Sequence, residues 1–316
     1  MRIVFDQYIP FLAEAVQSHW PQVQIYPMKP EEINASAVCE ADVLVVRTRT
    51  RVDEQLLSGS RVRLVCTATI GYDHIDTAWC QSHGIQWMSC PGCNAQAVCD
   101  YIEEALSEAT DLSVCPSSGS PTIGVVGVGH VGSKVAAMVE RKGMRVLLND
   151  PPKHIGVSLH DIAGNCDIIT FHVPLDATTH HLCNADFLRS CRPGALIINA
   201  ARGGVVDEQA LLESGHPYIL DTWENEPHLN HDVLLHALLA SMHIAGYSME
   251  GKRNATQMCL DAVAAYFHLP PVTRISGTSG QSAQGDTAPG WLARISAQLK
   301  EQPGQFELLR KNYILR

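Results

Sequence analysis

Nowhere in this 316-residue chain does an unbroken apolar run reach the ~18 residues that a membrane-spanning helix needs, so bilayer insertion is excluded. The N-terminal stretch MRIVFDQYIP lacks the long apolar run and small-residue cleavage site of a secretion signal; Ile3, Val4 and Phe5 read as a first strand, and the protein is expected to be cytoplasmic. Basic residues are scarce, 23 Lys and Arg against 33 Asp and Glu, a formal net charge of −10. Phosphate backbones are held by clustered cations, so this balance argues against a nucleic-acid partner, and an anionic substrate has to meet a local basic patch. No second CxxC accompanies Cys90 and Cys93 and there is no HxxxH, so no metal site is expected. Pro91 and Gly92 between them make an ordinary turn, a redox pair or half a metal site being the alternative. The eleven cysteines are odd in number and lie in apolar stretches such as LVC (Cys66) and AVC (Cys99), which suits reduced, buried thiols rather than a disulfide framework.

The length is about twice that of a single domain, so two cores with a cleft between them are expected. In the first hundred residues short apolar runs (Ile3 to Phe5, Val43 to Val46, Val62 to Cys66) alternate with helical patterns such as Phe11 to Val16, a β/α series with a parallel sheet. A helical pattern from Gln96 to Leu112 ends in a turn-rich segment, Pro116 to Pro121. A second series follows. Its strands, Ile123 to Val128, Val146 to Leu148, Ile168 to Phe171, Ala195 to Ile198 and Tyr218 to Leu220, are wholly apolar, as where helices cover both sheet faces. The helical stretch Glu250 to Phe267 is predicted to cross back to the first domain. The expected architecture is α/β: a doubly wound Rossmann domain (96–254) inserted in a flavodoxin-like domain (1–95 and 255–268), then a linker and small C-terminal element (269–316), amphipathic from Trp291 to Tyr313.

The run IGVVGVGHVGSKV sets Gly127, Gly129 and Gly132 in GxGxxG spacing between an apolar strand and a helical pattern. Gly127 permits the tight turn, Gly129 lets backbone reach a pyrophosphate and Gly132 allows close helix packing, while the helix N-terminus attracts the anion. Asp150 ends the next strand, where a carboxylate bonds the adenosine ribose hydroxyls and repels a 2′-phosphate. NAD is therefore expected over NADP, with Lys153 the nearest basic residue. Further on, ALIINAARGGVVDE puts Arg202 just past a buried strand, and its guanidinium fork suits a carboxylate or α-keto acid. In LDTWENEP, Asp221 ends a strand and Glu226 follows; HIAGY begins at His243. A Glu226–His243 pair supplies a base poised near neutral pH for taking a hydroxyl proton while hydride leaves the same carbon. Arg47, Arg49 and Arg51 alternate after VLVV and are expected to share one face, meeting a substrate phosphate or marking a solvated strand end.

Taken together, GVGHVG, NAARGGVVDE, DTWENEP and HIAGY resemble, in order and spacing, the motifs of the D-isomer-specific 2-hydroxyacid dehydrogenases, over about residues 1–267. TATIGYDHID, PGCNAQAV, NDPP, MHIAGYSMEGK and FELLRKNY narrow the likeness to members acting on a small phosphorylated hydroxy acid. The resemblance implies Arg202, Glu226 and His243 as the catalytic set, with His243 as acid/base. It implies NAD contacts from the glycine loop, including His130 and Val131, and from Asp150, Ala200, Ala201, Arg202, Asp221 and Gly246. It implies substrate contacts from Thr48, Thr69 and Tyr247 beside Arg47, and a homodimer. The chain departs from that pattern in its C-terminal region, where a longer dimerisation domain is usual, and in trimmed stretches between Asp150 and Asp167 and between Glu213 and Tyr218. A related dehydrogenase acting on 3-phosphoglycerate or glycerate, and a non-catalytic NAD(H)-sensing regulator, are the competing readings.

Overall fold

The computed structural model describes residues 1–112, 114, 120–276 and 288–314. The turn expected at 116–119 and residues 277–287 of the expected linker lie outside the described residues. The chain forms two compact units, one of Met1–Asn94 with the described residues 248–276, the other of Ala95–Tyr247 with 288–314.

The first unit runs β1 (Arg2–Asp6), α1 (Leu12–His19), β2 (Gln24–Met28), α2 (Ala35–Val38), β3 (Val43–Val46), α3 (Glu54–Leu57), β4 (Leu64–Thr67), α4 (Thr77–Ser82) and β5 (Gln86–Met88). Its strands form an all-parallel sheet in the order β2-β1-β3-β4-β5. β3 and β4 are buried at every position and apolar but for Thr67 at the end of β4; β2 and β5, at the edges, have no fully buried position and carry no such run. The chain leaves β1 first to one side (β2) and then to the other (β3). The carboxyl ends of β1 and β3 are therefore a topological switch point.

The second unit continues with α5 (Ala95–Asp111), β6 (Thr122–Val126), α6 (His130–Arg141), β7 (Arg145–Asp150), β8 (Ile155–Gly156), α7 (Leu159–Asn165), β9 (Ile168–Phe171), α8 (Ala185–Ser190), β10 (Leu196–Asn199), α9 (Glu208–Ser214), β11 (Tyr218–Leu220), α10 (His231–His236) and β12 (Leu239–Ala240). Its sheet order is β12-β11-β10-β9-β6-β7-β8, a doubly wound arrangement with its switch point between β6 and β9. β8 is a two-residue stub paired antiparallel to β7. The trimmed sequence explains the reversal, because only Pro151 to His154 separate the two strands and a parallel return needs a dozen or more residues.

α11 (Met249–Phe267) belongs to the first unit, where Ala255, Cys259, Leu260 and Val263 are buried. The return thus begins at Ser248 rather than at 255, since the Ser248 side chain already caps this helix through Gly251 N–H at 2.9 Å. The C-terminal stretch is not a separate element. Pro303-Gly304 divides it into α12 (Trp291–Glu301) and α13 (Phe306–Asn312), both counted with the second unit. α12 covers the sheet edge: Ala240 N–H donates to Ser296 Oγ at 2.9 Å. Glu104 and Glu108 of α5 accept from Gly290 and Leu292 N–H at the start of α12, a carboxylate cap on its positive end.

The ten described cysteines are free. Cys90 is fully buried, its thiol bonded to Thr67 and Ala255 carbonyls and 3.7 Å from Cys259 Sγ. The Cys259 thiol and burial push it far up, and burial pushes Cys93 up to about 12, so both stay protonated and unreactive.

Candidate active site

The glycine loop sits where β6 ends. Gly127 has φ +90°, and a Cβ there would meet the His172 backbone at 2.6 Å; at Gly132 a Cβ would stand 1.9 Å from the Gly127 carbonyl. Around Gly129 nothing lies within 4 Å of that position, leaving backbone open to a pyrophosphate at the α6 N-terminus, where exposed His130 and half-buried Val131 begin the helix. Asp150 is buried at the end of β7 and accepts from Val128 N–H at 2.8 Å. Lys153 donates to the Val128 carbonyl at 2.7 Å and stands 3.6 Å from Asp150, so its charge is offset by that carboxylate. Together these residues fit a dinucleotide with free ribose hydroxyls.

Arg202 follows β10, with Ala200 and Ala201 partly exposed beside it. Asn199 Nδ2 holds the Arg202 carbonyl at 2.8 Å, and Arg202 Nη1 donates to the Ala201 carbonyl at 2.7 Å. Among the described residues no carboxylate pairs with its guanidinium. His243 follows β12 and takes the left-handed conformation (φ +57°) that non-glycine residues rarely adopt. Its Nδ1 lies 2.9 and 3.1 Å from the two Glu226 oxygens. Trp223 N–H donates to Glu226 at 3.0 Å. Burial acts to raise the Glu226 carboxyl, but the His243 hydrogen bond and charge, the Trp223 N–H and the Arg310 charge outweigh it and hold the group below its ordinary range. An ionised carboxylate only accepts, so Nδ1 carries the ring proton and Nε2 keeps a lone pair.

Asp221, expected as a cofactor contact, is turned inward. Almost wholly buried, it accepts at Oδ1 from Ser241 Oγ and Ile244 N–H, both at 2.7 Å, and at Oδ2 from Ala245 N–H at 3.0 Å, while its backbone carbonyl accepts from His243 N–H at 2.8 Å. It clamps the His243 loop, with Gly246 partly exposed at the loop's end. Tyr247 closes that loop by bonding the Ile244 carbonyl through its N–H, and its hydroxyl accepts from Arg310 Nε at 3.0 Å. Reading the sequence missed Arg310, Ser241 and buried Glu208, although FELLRKNY had marked the Arg310 segment. Burial first, then the Glu224 and Glu226 charges, push Glu208 up to about 7 against the opposing Glu224 N–H.

In the first unit Arg47 lies at the β1/β3 switch point, forked onto fully buried Asp6 at 2.8 and 3.1 Å. The three arginines do not alternate along one face. β3 stops at Val46, where neighbouring β1 and β4 also end, and Arg47 to Thr50 closes as a turn, leaving Thr48 exposed and Arg51 paired with Asp53 at 2.8 Å. Burial and the Arg47 charge lower the Lys252 ammonium, a second cation beside this point. Thr69 follows β4 with its hydroxyl bonded to the Gly71 carbonyl at 2.9 Å and the Thr67 hydroxyl at 2.6 Å.

Residues 108–245 match the family described as D-isomer specific 2-hydroxyacid dehydrogenase, NAD binding domain. An erythronate-4-phosphate dehydrogenase of Bacteroides fragilis is 40% identical over 100% of this chain and 97% of its own length. One from Pseudomonas syringae is 38% identical over 94% of the chain and 78% of its own length. The NAD+-bound 3-phosphoglycerate dehydrogenase of Entamoeba histolytica has the same fold, with a TM-score of 0.71 at 22% identity over 88% of this chain and 99% of that one.

Proposed function

The chain belongs to the D-isomer-specific 2-hydroxyacid dehydrogenases, and from that premise we propose that it oxidises 4-phospho-D-erythronate to 2-oxo-3-hydroxy-4-phosphobutanoate, a step towards pyridoxal 5′-phosphate. The observation that carries the chemistry is the His243 Nδ1–Glu226 pair at 2.9 Å, which leaves Nε2 as the base. His243 takes the C2 hydroxyl proton at Nε2 as the C2–H bond breaks and the C2 carbonyl forms, and Glu226 offsets the imidazolium charge. Arg202, with no carboxylate partner among the described residues, binds the substrate carboxylate through its fork and orients C2. The glycine loop and Asp150 would hold NAD, which when bound would supply the hydride acceptor for C2. Substrate contacts are assigned to Arg47, Thr48, Thr69 and Tyr247, with Lys252, whose charge is not matched by Asp6, joining Arg47 in receiving the phosphate.

Among the described residues no helix is long and apolar enough to cross a membrane; we place the enzyme in the cytoplasm as a homodimer. The test is NADH formation by the purified protein with 4-phosphoerythronate, 3-phosphoglycerate, glycerate and lactate, and NADH consumption with the 2-oxo acids. Selective turnover of 4-phosphoerythronate is expected. Turnover of another acid replaces the substrate and keeps the mechanism, whereas NAD binding without any turnover overturns the enzyme reading in favour of a regulator.

A further inference from the structure

The C-terminal helix α13 has no assigned part in the chemistry above. Phe306 and Leu309 bury one side of it, which fixes the direction of the next residue, Arg310, itself only 25% exposed. Arg310 Nε donates to the Tyr247 hydroxyl at 3.0 Å, and its guanidinium carbon lies 5.4 Å from the centre of that ring. Nη1 stands 3.6 Å from Glu307, an exposed carboxylate that repays little of the cost of drawing a guanidinium out of water. Tyr247 ends the loop that carries His243, so the helix is tied to the catalytic loop itself.

We infer that Arg310 is a positioning residue of the dehydrogenase site, fixing the Tyr247 hydroxyl and setting positive charge beside the Glu226–His243 pair, so that the C-terminal helix is a working part of the active site. The inference rests on the dehydrogenase reading of that pair. An apolar residue would serve if α13 needed only to pack on Tyr247; a guanidinium that bonds the Tyr247 hydroxyl also favours the ionised form of the half-buried Glu226 carboxylate. Before turnover His243 has to be neutral with Glu226 ionised, the state in which a lone carboxylate is least comfortable in a partly dry site. Among the described residues the groups acting on Glu226 are His243, Arg310, the Trp223 N–H and the Glu208 carboxyl, and of these Arg310 is the permanent cation.

Arg310→Gln, Arg310→Lys and Lys311→Gln, all in the full chain, are compared in steady-state turnover of 4-phosphoerythronate with NAD as a function of pH. Arg310→Gln is expected to lower kcat about tenfold and, by taking a positive charge from beside the Glu226–His243 pair, to let the pair hold a proton to higher pH, moving the acid limb of kcat up by about half a unit to one unit. Arg310→Lys is expected to restore the limb, because it keeps the charge, but only part of kcat, because it loses the fixed fork. Lys311→Gln, on the exposed side of the helix, behaves as wild type. An Arg310→Gln protein that melts like wild type and keeps kcat and acid limb overturns the inference. If that variant does not fold, Arg310→Met, which keeps the apolar stem, takes its place. Survival of turnover in His243→Ala would instead remove the dehydrogenase mechanism on which the inference stands.

Discussion

Replacing Asp221 by Asn separates a clamp from a cofactor ligand. The carboxylate is 1% exposed and accepts three hydrogen bonds, two of them from the N–H groups that follow His243. An amide of the same shape has one accepting oxygen, so at least one N–H or hydroxyl donor faces an NH2 group and loses its partner. A hydrogen bond to a charged group contributes roughly 1.5–3 kcal/mol, and the surviving bonds weaken as the acceptor becomes neutral. Relief from burying a charge returns part of this, leaving a net loss of about 2–3 kcal/mol in unfolding free energy. The left-handed backbone of His243 is held by the same contacts, so the imidazole shifts with the loop, and a displacement near 1 Å costs about 100-fold in turnover. Urea unfolding, kcat and the Kd for NAD by calorimetry are measured on the same protein. The expected result is a lower unfolding midpoint and a kcat down about 100-fold with a Kd for NAD within threefold of wild type. Wild-type stability with a Kd at least tenfold weaker would refute the clamp and make Asp221 a direct cofactor contact.

Gly132→Ala sets a methyl group 1.9 Å from the Gly127 carbonyl, so NAD affinity is expected to fall beyond detection in calorimetry, and binding within tenfold of wild type would contradict the glycine-loop assignment. Arg202→Gln removes a charged fork worth about 3 kcal/mol, or about 100-fold in kcat/KM; a change under fivefold would assign the substrate carboxylate elsewhere. Glu208 sits about 7 against an ordinary 4.5, so the unfolded chain releases this proton first and stability falls as pH rises from 4.5 through 7. Glu208→Gln is expected to flatten that slope and raise the unfolding free energy from urea titration at pH ~8.5 relative to wild type by up to about 3 kcal/mol; equal slopes in the two proteins would refute the burial argument.

Much of the second sheet was legible because its central strands, buried on both faces, are almost wholly apolar; β9, apolar but for Thr170, and β11 coincide with the runs Ile168 to Phe171 and Tyr218 to Leu220. The first β/α series was legible for the same reason at β3, while edge strands β2 and β5 expose too many side chains to stand out. Apolar patterning also ran too far in one place, since Gly127 and Val128 continue the run of β6 but form the turn after it. The alternation of Arg47, Arg49 and Arg51 suggested a strand face because spacing carries no information about where neighbouring strands stop.

What the sequence by itself determined is what short spacing controls. Three glycines, the strand before them, the helix after them and a carboxylate at the next strand end are set by a few bonds of chain, and their conformations follow from local sterics. Tertiary structure alone decided which distant groups meet: Glu226 with His243 across 17 residues, Asp221 with the N–H groups of the histidine loop, and Arg310 with Tyr247 across 63. Those meetings depend on strand order and on the burial that directs each side chain, and a carboxylate reads the same in sequence whether it faces solvent or holds a catalytic loop.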